Sequence, residues 1–158
     1  MNAEFVNPFL QALQNVLSMM AQMELKPGKP QLKQDEMARG DVSGIIGMVG
    51  PQVKGSFSIS FEEKLACEIM SKMVGEEPDT LDDEVCDMVG EITNMVTGGA
   101  KKTLGEKGYE FQMATPIVVS GKDHTISHRS DGKKLIMPFS HQAGQAYIEI
   151  CFEEISSS

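Results

Sequence analysis

Apolar residues recur at three- and four-residue intervals from Leu81 to Leu104, LDDEVCDMVGEITNMVTGGAKKTL. At about 100° per residue, Leu81, Val85, Met88, Ile92, Met95 and Val96 fall on one stripe, which predicts a long amphipathic helix with that stripe against a core. Thr80 followed three residues later by Asp83 is a capping-box arrangement, and Asp82, Asp83 and Glu84 suit the positive end of the helix dipole. The same period runs from Ala3 to Met23, with Phe5, Phe9, Leu13, Val16, Met20 and Met23 on one side and Gln11, Gln14 and Gln22 on the other. Asn7 and Pro8 mark a cap and first turn within or at the start of this helix. Pro27, Gly28 and Pro30 end it and open an exposed connector, polar as far as Asp41. A third helix is expected to open on a Ser60 to Glu63 capping box, to turn Leu65, Ala66, Ile69, Met70 and Met73 inward, and to stop before Gly75.

Elsewhere the period shortens to two. Val42 to Val49 and Val53 to Phe61 flank Gly50, Pro51 and Gln52, and the second run alternates Val53, Gly55, Phe57, Ile59 and Phe61 with polar residues, predicting a hairpin with one buried face. Tyr109 to Ser120 fits a strand interrupted at Pro116, a residue confined to sheet edges and bulges. Thr125 to His128 fits a short strand, Asp131 and Gly132 a turn, and Lys134 to Ser140 is expected to pair with Gln145 to Glu153. Helix, hairpin, two helices and then several antiparallel strands is the order of an α+β fold, an antiparallel β-sheet with long helices packed on it. With no repeat or linker to divide the chain, residues 1–155 are expected to form a single domain and residues 156–158 a frayed tail.

Charge narrows the partners. A net charge of −9 and a pI near 4.8 oppose contact with nucleic acid or an anionic membrane surface. Protein partners and small molecules remain. Cys67, Cys86 and Cys151 are odd in number and widely spaced, as reduced, structurally buried thiols of a cytoplasmic protein would be. The opening MNAEFVNPFL lacks the basic start of a signal peptide, and no apolar run approaches the ~18 residues that span a bilayer. A soluble, cytoplasmic chain is expected.

Opposite the apolar stripe lie Asp87, Glu91 and Asn94, whose offsets of four and seven residues bring them within roughly 60° of one another. Taken alone, such residues form any solvated helix face. A glycosidase acid pair would need a pocket and a raised pKa on one carboxyl group. Asp123, His124 and His128 do not define three converging metal ligands, so a polar strand edge or turn is expected there and no metal site. Gly98, Gly99 and Lys101 lie within a helix and lack the strand-loop-helix frame of a phosphate loop. Two adjacent glycines cost about 1 kcal/mol each relative to alanine, which points to close backbone approach, with Gly98 on the face of Asn94 and Gly99 towards the core.

Asp87, Glu91 and Asn94 in DMVGEITN, with Pro116 in ATPIVVSG, resemble the DxxxExxN signature and downstream proline of the CheC/CheX/FliY family of chemotaxis phosphatases. NAEFVNPFLQALQNVLSMM, GSFSISFEEKLACEIMSKMVGEE and IMPFSHQAGQAYIEICF look CheX-like too, so the resemblance covers nearly the full length. The first helix has no ExxN, which implies one site per chain in place of the two pseudo-symmetric copies of CheC-like members. The resemblance implies hydrolysis of the aspartyl phosphate of a CheY-like response regulator in chemotaxis signalling. Glu91 and Asn94 would be the catalytic residues, Glu91 pairing with a lysine beside the partner's phosphorylation site and Asn94 holding the attacking water. Asp87 and Gly98 would serve partner binding. No cofactor of its own is implied, a Mg ion being carried by the regulator. A homodimer is also implied, with Gln145 to Glu153 as the expected edge for pairing. Two other readings stand beside this one: a non-catalytic CheC/CheX-type adaptor for a response regulator or motor component, and a small-molecule-binding module on the same fold.

Overall fold

A computed structural model describes residues 3–75, 78–128 and 133–154. Along them run α1 (Ala3–Ala21), β1 (Lys26–Pro27), β2 (Gln31–Lys33), β3 (Val42–Val49), β4 (Val53–Phe61), α2 (Glu63–Val74), α3 (Asp83–Glu106), β5 (Gln112–Met113), β6 (Ile117–Ser120), β7 (Lys134–His141) and β8 (Gly144–Glu154). The expected turn at Asp131 and Gly132 and the expected tail at 156–158 lie outside the described residues.

The strands form one antiparallel sheet in the order β1-β7-β8-β4-β3-β5, with β2 on β7 and β6 on β3. With three helices on it, this is the expected α+β architecture. The hairpin boundaries at 42–49 and 53–61 are as expected, as is the β7 and β8 pair, in which Met137 faces Ile148. One expectation is reversed. The strand over Gln145 to Glu153 is no edge, because β8 pairs with β7 on one side and with β4 on the other.

The alternate positions of the central strands explain the layers. Ile46 and Met48 of β3, Phe57 and Ile59 of β4, Ile148 and Ile150 of β8 and Phe139 of β7 are buried beneath the helices with Phe5, Phe9, Leu13 and Leu17 of α1. The rings of Phe9 and Phe57 pack at a 30° tilt with centroids 4.9 Å apart, tying α1 to the hairpin. Burial of so many large side chains, each contributing about 1.5–3 kcal/mol, is what holds the helices to the sheet.

The other face departs from the expected pattern. Ser43, Ser56, Ser58 and Ser60 are buried, so the hairpin has two covered faces. Residues 121–128 lie over this side, with His124 on Ser43 and His128 on Ser56, and the strand expected over Thr125 to His128 is an isolated bridge from Thr125 to Met37. Lys33 Nζ donates to Glu149 at 2.7 Å with both side chains fully buried. His128 lies between Ser56 and Glu149, and His124 Nδ1 donates to the Gly121 carbonyl at 2.7 Å while Nε2 meets Ser43 Oγ at 2.6 Å. The two histidines are therefore half-buried partners of sheet hydroxyls, His124 following the turn at 121–123. Burial alone would raise the Glu149 carboxyl, but hydrogen bonds from His128 and Lys33 outweigh it and hold the group below its ordinary range.

Both expected capping boxes are also replaced. At α3 the cap is Asp82, whose carboxylate accepts from Val85 N at 2.9 Å. Thr80 is too far upstream. At α2 the cap position is Glu62, with no capping bond of its own, and Asp41 from across the chain accepts from Glu63 N at 2.8 Å. Ser60 is occupied within the sheet by Ser43, 2.6 Å away. Gly75, left-handed at φ 78°, closes α2 as expected. Pro116 interrupts the Tyr109 to Ser120 run, leaving β5 and β6 as two short strands on β3, both on the sheet edge.

Candidate functional site

The site is one strip of α3, and its position is set from behind. Val85, Val89, Ile92, Val96, Ala100 and Leu104 are fully buried, and so are Thr93 and Thr97, which the hydrophobic pattern alone does not bring out. Each threonine satisfies its hydroxyl by donating one turn back, Thr93 to the Val89 carbonyl at 2.7 Å and Thr97 to the Thr93 carbonyl at 2.8 Å. Small threonines let the helix lie close to the sheet. Where Thr93 crosses β3 it sits against Gly44, and a Cβ there would come within 1.9 Å of Thr93 Oγ1. The flanks are fitted similarly: a Cβ on Gly90 would lie 3.1 Å from Val118 Cγ2 of β6, and one on Gly99 3.4 Å from Ala12 Cβ of α1. Gly99 thus faces α1 and stays exposed, where the core had been expected, and Met95, expected on the apolar stripe, is 37% exposed.

On the outward face Asp87, Glu91 and Asn94 are all exposed. Neighbours three and four apart on a helix carry their Cβ atoms about 5–6 Å from one another, so Glu91 and Asn94 form a carboxylate and carboxamide pair that one small group can meet. Among the described residues none of the three has a hydrogen bond or an ion pair. Their donors and acceptors are open to a partner. A Cβ on Gly98, the next residue along this strip, would meet nothing within 4 Å, so the fold itself does not call for glycine there. Neither of two cavities among the described residues is lined by Glu91 or Asn94. A cavity of about 410 Å³ is lined by Glu63, Lys64, Cys67, Glu68 and Asp79 among others, away from Glu91 and Asn94, and a groove of about 220 Å³ between α1 and α3 touches Met95 and Gly99 only at the flank. A rigid convex strip with unpaired polar groups suits insertion into another protein's concave site better than capture of a free small molecule.

Known proteins resemble this chain in sequence and in fold. The family model for the chemotaxis phosphatase CheX matches residues 42–140. The CheY-P phosphatase CheX of Thermotoga maritima is 30% identical over 141 residues, covering 89% of each chain.

This chain belongs to the CheX family.

The crystal structure of the chemotaxis protein CheX from Vibrio vulnificus superposes with a TM-score of 0.90 at 67% identity, covering 96% of this chain and 100% of that one. The CheX in a CheX-CheY-BeF3-Mg+2 complex from Borrelia burgdorferi superposes with a TM-score of 0.79 at 33% identity, covering 95% and 98%. The span matched by the CheX model runs from the start of β3 into β7 and so contains the whole of α3, together with Gly44 and Val118 that seat it. Among the described residues no three His, Cys, Asp or Glu side chains gather as a metal site, and no helix is long and apolar enough to cross a membrane. Sequence reasoning missed the CheX-family chain's Gly44 and Gly90 as seats of the helix, although glycine inside a strand pattern is a sign of close backbone approach.

Proposed function

We propose that this CheX-family chain is a phosphatase for the aspartyl phosphate of a CheY-like response regulator, acting in chemotaxis signalling. The observation that carries the reading is the open Glu91 and Asn94 pair on a helix fixed from behind by Thr93 against Gly44. An aspartyl phosphate is a reactive acyl phosphate, so its hydrolysis needs a water held in line with phosphorus more than it needs a new nucleophile. Asn94 provides one acceptor and two donors on a short stem, and it does not titrate. Its amide holds the water whose oxygen bonds to phosphorus as the bond from phosphorus to the aspartyl oxygen breaks. Inorganic phosphate leaves with the proton, and the regulator recovers its carboxylate. Glu91 pairs with a lysine beside the phosphorylated aspartate, Asp87 assists docking, and Gly98 lets the partner's backbone come close. We assign the Mg ion to the regulator, whose acidic site also needs it to hold the phosphoryl group.

The reading extends to assembly and place. We place a homodimer contact on the β5 and β6 edge of the sheet, where Ile117 is 64% exposed, and not on β8. Residues 1–155 act as one domain, and the protein works in the cytoplasm beside its regulator. The exposed, unpaired catalytic pair favours the phosphatase over a non-catalytic adaptor, which would bind the phosphorylated regulator and leave its phosphate lifetime unchanged. Phosphate release from a phosphorylated CheY-like protein, with and without the chain, tests this. Acceleration is expected; an unchanged lifetime on binding would establish the adaptor. A light-scattering mass near one chain at micromolar concentration would remove the homodimer.

A further inference from the structure

The strip that bears Asp87, Glu91 and Asn94 does not end at Gly98. Lys101 lies about 20° from Asn94 around the helix axis and about 10 Å further along it. It is exposed, and among the described residues its ammonium has no hydrogen bond or ion pair. The helix itself offers none. Its neighbours at three and four residues are Gly98, Thr97, Leu104 and Gly105, of which Thr97 and Leu104 are buried and the glycines have no side chain. The helix dipole does not account for it either, since that effect is felt within the last turn and the last turn of α3 carries no basic residue. Lys102, the adjoining exposed cation, lies about 80° away from Asn94 around the axis, towards α1. The strip therefore runs from carboxylates through an amide and an open glycine to one unpaired ammonium, in a chain whose net charge is −9.

We infer that Lys101 is a second electrostatic anchor for the phosphorylated regulator, pairing with a carboxylate on its surface about 10 Å from the point where Asn94 meets the phosphoryl group. This rests on the phosphatase reading of the same strip. A site that holds a divalent metal beside an aspartyl phosphate is built from carboxylates, so the regulator's face is acidic around one phosphate-neighbouring lysine. Glu91 answers that lysine and Lys101 answers the acidic rim. Two opposite charges at opposite ends of a strip fix the direction in which the helix enters, and Gly98 between them leaves room for the contact.

The test measures affinity for a CheY-like regulator loaded with beryllofluoride and Mg, and single-turnover phosphate release, for Lys101→Met, Lys101→Glu and a control, Lys54→Met, at an exposed lysine of β4. At low ionic strength Lys101→Met should bind about three- to tenfold more weakly, Lys101→Glu more weakly still, and Lys54→Met as the unmutated chain does. The difference should close as salt approaches about 1 M. Phosphate release at saturation should stay within about twofold, because the anchor acts on the encounter. Equal affinity of Lys101→Met and Lys54→Met at low salt would overturn the inference. Loss of affinity with an unmutated chain that binds but releases no phosphate would overturn the phosphatase reading and leave the anchor standing. No binding by the unmutated chain would overturn both.

Discussion

Replacing Gly44 with alanine tests whether the position of the strip bearing Glu91 and Asn94 is set by the sheet behind it. The new Cβ would lie 1.9 Å from Thr93 Oγ1, 2.9 Å from Thr93 Cβ and 3.3 Å from Thr93 Cγ2. Carbon atoms in comfortable contact stand about 3.5–4.0 Å apart, so the gap must open by about 1.5 Å. Rotation of Thr93 is no escape: it exchanges Oγ1 for the methyl group and breaks the 2.7 Å bond to the Val89 carbonyl. The strand cannot retreat, since β3 is held by β4 on one side and by β5 and β6 on the other. The helix must lift. Overpacking of this kind costs about 1–3 kcal/mol, and a shift of about 1 Å at a positioning group costs on the order of 10² in rate. Gly44→Ala should lower the urea midpoint by that free energy yet fold, and its single-turnover phosphate release at saturation should fall on the order of 10²-fold. Thr93→Ala takes away Oγ1 and Cγ2, so the double variant should recover much of both losses, with a coupling of about 1 kcal/mol or more. A Gly44→Ala variant with the unmutated midpoint and turnover would refute the idea that Thr93 on Gly44 seats the strip.

Three further outcomes follow from particular contacts. Lys33→Met should destabilise the fold by about 3–5 kcal/mol in urea unfolding, because Glu149 is left buried without its cation, and Lys33→Met with Glu149→Leu should restore most of that loss. The same carboxyl titrates lower in the folded than in the unfolded chain; its stabilisation should be complete above the ordinary glutamate range and decline as pH falls through the folded value, and a Glu149→Gln variant should lack that decline. Asp82→Ala should cost about 1 kcal/mol through loss of the bond from Val85 N, measurable by thermal unfolding, whereas Thr80→Ala should cost little. Gly98→Leu meets open space within the chain, so it should fold with the unmutated urea midpoint or a higher one but bind the beryllofluoride-loaded regulator more weakly; full affinity would remove the steric role of Gly98.

What the residues disclose in advance is uneven for physical reasons. α3 is legible because its period persists over six turns, and Glu91 with Asn94 because offsets on a helix translate directly into angles. The β3 and β4 hairpin is legible from alternation alone. β1 and β2 are not, since strands of two and three residues have no period to show. Ser56, Ser58 and Ser60 look like a solvated face, but a polar residue in a strand does not distinguish water from a covering segment bearing His124 and His128. The wrong caps have a similar cause. Asp41 reaches α2 from a distant turn, and Asp82 is one of several acids any of which fits the local pattern. The seat of the site was hidden because Gly44 and Thr93 meet only when the sheet and helix are assembled.

The central claim is that Asn94 acts on the rate and Glu91 on the encounter. Phosphate loss from a CheY-like regulator, measured at saturating and subsaturating chain with affinity for the phosphorylated form alongside, separates them. Asn94→Ala should bind nearly as the unmutated chain does and lose about 10²-fold or more in turnover at saturation. Glu91→Lys should fail at binding, because like charges meet at a desolvated contact and cost several kcal/mol. Turnover of Asn94→Ala at the unmutated rate under saturation would contradict the assignment of the water to Asn94, and with it the phosphatase reading of this helix.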